Sequence, residues 1–162
     1  MDNSGLNLAV IPRNPRSLYD KDILLWVKDT VAKLKARDFD RLDVENLIEE
    51  VESLGISQHK ELLSRLTRLF EHLLKRLYVS LPQDYNGWER TIRNQRSELG
   101  ILLDKVPSLK SVWGANVQDA WQRAMTKVVE EYPQISFPNK WLYSSTIEDL
   151  LNQKFWECPL QD

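Results

Sequence analysis

Apolar residues recur at three- and four-residue spacing along most of the chain, and that period predicts helices from about residue 20 onward. Ile23, Leu24, Trp26, Val27, Val31 and Leu34 mark a first helix over about Asp20–Ala36, with Asp20 and Asp22 at the end where negative charge suits the helix dipole. Asp43 is placed to cap a second, short helix with a buried stripe of Val44, Leu47, Ile48, Val51 and Leu54, and Gly55 stands where a left-handed C-terminal residue is expected. Ser57 then caps a longer, central third helix with a wide apolar face: Leu62, Leu63, Leu66, Leu69, Phe70, Leu73, Leu74 and Leu77. The segment LPQDYNG at 81–87 breaks the pattern. A fourth helix over about Trp88–Leu103 follows, and Pro107 suits the first turn of a fifth, whose inner face is Leu109, Val112, Trp113, Val117, Ala120, Trp121, Ala124 and Val128.

Beyond residue 132 the period fails. PQISFPNKWLY at 133–143 holds two prolines and three aromatics, which read as an ordered arm packed on the helices, since each buried aromatic gains on the order of 2 kcal/mol. Ser145 and Glu148 spell a capping box for a last short helix through Asn152, with Phe155 and Trp156 as a terminal anchor. No run alternates like a bounded strand. The fold class expected is all-α, a compact bundle of four to five helices with an irregular aromatic C-terminal arm. Residues 1–18, with Pro12 and Pro15, are expected as an extended lead, and 19–162 as a single helical domain.

Composition adds limits more than chemistry. A chain of 162 residues is long enough for one core without staples, and a net charge of -2 produces no global field toward nucleic acid or an anionic membrane. Cys158 is the single cysteine, so no internal disulfide forms, which fits a reducing cytoplasm. The N-terminal stretch lacks the pattern of a secretory signal, and no segment has the roughly 20 apolar residues of a membrane span. A soluble, cytoplasmic protein is expected.

SLYDKDILLW at Ser17–Trp26, FDRLDVENLIEEVESLG at Phe39–Gly55, HLLK at His72–Lys75, WERTIRNQR at Trp88–Arg96 and VPSLK at Val106–Lys110 occur in this order, closed by the aromatics Phe155 and Trp156. In these the chain resembles the bacterial, largely cyanobacterial family catalogued as domain of unknown function 29. The resemblance implies an all-helical fold and a cytosolic bacterial origin, and it brings no activity, cofactor or catalytic residues. The ending FWECPLQD departs from the family's usual short close.

Two charged constellations are candidates for chemistry. Glu45, Glu49 and Glu52 fall on adjacent turns of one helical flank, with Asn46 and Glu50 on the opposite polar side. Three carboxylates could hold a divalent cation, with His72 as a general base, but no Glu-x-x-His pairing accompanies them, and a solvated face is the simpler reading. Lys60, Arg65, Arg68, Lys75 and Arg76 on the third helix, and a strip of Arg90, Arg93 and Arg96 on the fourth, could suit a nucleic-acid backbone. Interleaved Glu61, Glu71, Glu89 and Glu98 favour internal pairing instead, so nucleic acid is not the expected partner.

The reading these residues support is a small helical protein-interaction or regulatory module without catalysis and without a cofactor. Asn46, Glu50, Trp141 and Trp156 are its candidate contact residues, and a protein is its expected partner. The competing classes are a divalent-metal-dependent hydrolase or nuclease built on the second helix, and a nucleic-acid-binding module. An exposed apolar helix face could make a homodimer, but nearly every apolar position already has a place inside a helix stripe, so no oligomeric state follows from the sequence.

Overall fold

The computed structural model describes residues 17–158, and within them every regular element is helical. The expected lead over 1–18 falls almost wholly outside the described residues. Two compact units divide the chain, one ending at Ser53 and the other starting at Leu54.

In the first unit, α1 (Leu18–Lys21) opens with Ser17, whose Oγ accepts from the Asp20 amide at 3.2 Å. The expected helix from Asp20 is interrupted at Asp22, which leaves helical geometry and caps α2 (Ile23–Ala36) through bonds from the amides of Leu24 and Leu25 at 3.1 and 3.0 Å. Asp22 thus satisfies two amides that a continuous helix would have tied to carbonyls. Arg37 ends α2 in the left-handed conformation, φ 55°, and the Asp38 amide closes the turn on Lys33 O at 2.9 Å. A 3-10 turn, Phe39–Arg41, leads to Asp43, whose Oδ1 accepts from the Asn46 amide at the start of α3 (Val44–Tyr78), the cap the sequence predicts.

The predicted second and third helices are one helix. Gly55 does not stop it, because no described glycine adopts a positive φ and nothing crowds its Cα. A helix interior tolerates glycine at a cost of about 1 kcal/mol. Ser57 accordingly lies inside α3 rather than at its start.

The second unit holds the core. Leu62, Leu66, Leu69, Phe70, Leu73 and Leu74 of α3 are fully buried against α4 (Tyr85–Lys105) and α5 (Trp113–Glu131), which contribute Ile92, Leu99, Leu102, Val117, Ala120, Ala124 and Val128. Pro82–Asp84 and Pro107–Val112 are 3-10 turns leading into α4 and α5, each with proline in its first turn. Helix α4 begins three residues earlier than the pattern suggests, and Pro107 starts the 3-10 turn rather than α5 itself.

The C-terminal arm is ordered, as its aromatics predict. The Trp141 ring lies 5.1 Å from Phe70, 5.7 Å from Trp121 and 5.2 Å from Phe155. The last helix, α6 (Ile147–Asn152), uses Thr146 and Asp149 as its capping pair in place of Ser145 and Glu148: the Asp149 amide donates to Thr146 Oγ1 at 3.2 Å. Both registers satisfy the same spacing, but the Ser145 carbonyl is engaged by Trp113 Nε1 at 2.9 Å. Leu150 and Phe155 are fully buried, each worth roughly 1.5–3 kcal/mol of transfer free energy.

Candidate functional site

Polar contacts tie α1 and α2 of the first unit to the start of α3. Trp26 Nε1 donates to Asp43 Oδ2 at 3.0 Å, the Asn46 side-chain amide donates to the same oxygen at 2.8 Å, and Tyr19 Oη donates to Glu50 Oε1 at 2.6 Å. The first turn of α2 thus meets the cap of α3 at Asp43, and α1 meets α3 one to two turns further on, at Glu50. Burial works to raise the Asp43 carboxyl, yet the bonds from Asn46 and Trp26 outweigh it and hold its pKa below the ordinary value.

These contacts engage one side of each helix and leave a large apolar surface uncovered. Ile23, Leu24, Val27, Val31 and Leu34 on α2, with Val44, Ile48 and Val51 on α3, are between 40% and 72% exposed. The spacing predicts all eight inside, but amphipathic spacing marks a face without saying what covers it. At 100° per residue the exposed set on α2 adjoins the buried Trp26 and Thr30, and the set on α3 adjoins Leu47. Each of the two helices thus turns an aliphatic face to water.

The candidate carboxylates border the face on α3. Glu45, Glu49 and Glu52 are exposed along its edge, whereas Asn46 and Glu50 are turned toward Asp43 and Tyr19. Asn46 and Glu50 are therefore spent on internal bonds rather than offered as a contact surface. The α2 edge carries Lys28 and Lys35, both exposed. His72 belongs to the second unit, and among the described residues no three His, Cys, Asp or Glu side chains gather so as to hold a metal ion. His72 places Nδ1 2.9 Å from Arg68 O, and burial pushes its pKa below the usual imidazole value.

The basic residues of the second unit are largely committed to internal partners. Arg65 pairs with Glu61 and Glu98 at 2.9 and 3.2 Å, and Lys75 pairs with Glu131. Arg76 bonds Glu89 at 2.7 Å while lying over the rings of Tyr85 and Trp156, at 3.9 and 5.1 Å. Trp156 and Trp141, the two aromatics expected to offer a contact surface, are accordingly packed against the second unit's own side chains. Arg90 and Arg93 remain exposed, but Arg96 leaves the strip: Nε donates to Leu150 O at 2.8 Å and Nη2 to Gln153 O at 2.5 Å. Desolvation lowers its pKa to about 10. Six residues along a helix turn the side chain by about 120°, which carries Arg96 from the outer face of Arg90 toward the buried side.

An open groove of about 670 Å³ between α3 and α5 is lined by Lys60, Arg68, Glu71, Arg123 and Lys127 among others. Two of its cations are matched: Lys127 pairs with Glu71, and Arg123 with Asp119 at 2.8 Å. No helix among the described residues is long and apolar enough to cross a membrane.

The described residues define an all-α protein with a core-bearing helical unit and a smaller helical unit rich in exposed aliphatic side chains. The chain belongs to the family described as Domain of unknown function DUF29, whose model matches residues 18–156. No curated protein and no solved structure matches it.

Proposed function

We propose that this chain is a cytoplasmic protein-interaction module, one helical domain over 19–162 that carries out no catalysis, with the α2–α3 hairpin as its docking element. One observation carries the reading: eight large aliphatic side chains on two helices of the first unit are left in water. The largest apolar patch on a monomer covers roughly 300–600 Å² and is often functional, and aliphatic exposure of this extent falls at the upper end of that range. The charged groups on its borders support the same reading, since an apolar centre with a charged rim is the anatomy of a protein interface.

The hydrolase reading draws no comparable support. Its three carboxylates fit the rim of the apolar face, and His72 belongs to the other unit. A photo-reactive residue placed at position 51 in the producing cells tests the proposal. It should yield discrete protein adducts that vanish when Val27→Glu is added, while the same group at position 90 yields none. Equal labelling from both positions would overturn the proposal.

A further inference from the structure

We propose that the partner of the hairpin face is a second copy of this chain, joined about a two-fold axis so that α2 of each copy packs on α3 of the other. The inference rests on the interaction reading above and adds the identity of the occupant.

Charge selects the occupant. On the exposed edge of α2, Lys28 and Lys35 are seven residues apart, and on the exposed edge of α3, Glu45 and Glu52 are also seven residues apart. Seven residues span about 10.5 Å of helix, so the two pairs match in pitch as well as in sign. None of the four enters an ion pair with another described residue. A two-fold axis forces each contact to occur twice. Stacking α2 on the partner's α3 therefore sets lysines against glutamates at both ends of the interface. Stacking α2 on α2 would instead set lysine on lysine and glutamate on glutamate. The carboxylate edge of α3 also opposes a phosphate-rich surface, whether nucleic acid or anionic lipid.

The size of the face agrees. At roughly half exposure each, its eight aliphatic side chains present on the order of 600 Å², which suffices for the apolar part of a standard interface of about 800 Å² per partner. Four antiparallel helices formed from two hairpins would then enclose the side chains that one hairpin leaves in water.

Light scattering and sedimentation equilibrium on the full chain test the inference. The expected species has twice the 19.1 kDa chain mass. Ile48→Glu with Val51→Glu should convert it to monomer while circular dichroism retains the helical signal. Lys28→Glu/Lys35→Glu and Glu45→Lys/Glu52→Lys should each weaken self-association about tenfold or more at low salt, and an equimolar mixture of the two should associate again as a heterodimer. A wild-type chain that stays monomeric at 100 micromolar on the order of interface affinities, or a dimer indifferent to all of these substitutions, overturns the inference. If such a monomer still gives adducts with other proteins from position 51, only the second-copy inference has failed. If it gives none, the interaction reading has failed with it.

Discussion

Arg96 on α4 reaches the end of α6, where its guanidinium donates from Nε to Leu150 O at 2.8 Å while Nη2 holds Gln153 O. One planar group thus satisfies two carbonyls that the last turn of a helix leaves without amide partners. Lysine offers a single compact ammonium and cannot span both. Arg96→Lys should cost about 1.5–3 kcal/mol in chemical denaturation, with amide exchange accelerated across 147–157 before the rest of the second unit.

Gly55 sits inside α3 with open space around its Cα and ordinary helical geometry. Alanine there restricts the unfolded chain and meets no clash. Gly55→Ala should stabilise the protein by about 0.5–1 kcal/mol. A helix ending at Gly55 in the left-handed conformation would instead lose stability on this change, so one denaturation curve separates the two geometries.

Asp43 caps α3 and accepts from Trp26 and Asn46. Asp43→Ala should cost about 1–2 kcal/mol by removing the cap and the indole's partner together. Its folded pKa lies below that of an unfolded aspartate, about 3.9, so its contribution is complete above that pH and is lost as pH falls through the folded value. Acid unfolding below about pH 4 should be shallower in Asp43→Asn than in the parent chain.

His72 is also depressed, because burial disfavours its cationic form. Above about pH 6.5 the imidazole is neutral in both folded and unfolded chains; below it the unfolded chain takes up the proton first and stability declines toward the folded pKa. Replacement by Gln should flatten stability between about pH 7 and 5. The imidazole resonances should titrate with a midpoint below 6.5, the reference value for the group.

Helical period makes most of the architecture legible in the sequence. The all-α class and the buried faces of α3, α4 and α5 beyond residue 60 follow from apolar spacing, the Asp43 cap from a carboxylate just before an apolar run, and the packed arm from the cost of leaving its aromatics in water. What the period does not encode is the occupant of a face: Val27 and Val51 carry the same pattern as Leu66 and Leu73, yet the first pair is exposed and the second buried. Gly55 was misleading because a glycine between two apolar runs reads equally as a stop or as a tolerated interior residue. Arg96 was misleading because a three-residue repeat drifts around the helix, moving the third arginine off the line of the first two. The uncovered hairpin face had a trace in the sequence, the paired heptad spacing of Lys28 with Lys35 and of Glu45 with Glu52. Its meaning depended on knowing that the neighbouring stripe was not already occupied.

Five of the six tryptophans occur from Trp88 onward, and the remaining indole is Trp26, clasped to Asp43 and edge-on to Tyr19 at 5.0 Å. The chain therefore carries a built-in optical reporter for its N-terminal hairpin. Subtracting the emission of Trp26→Phe from that of the parent isolates a single fluorophore, which can follow melting or assembly of that region without any attached label.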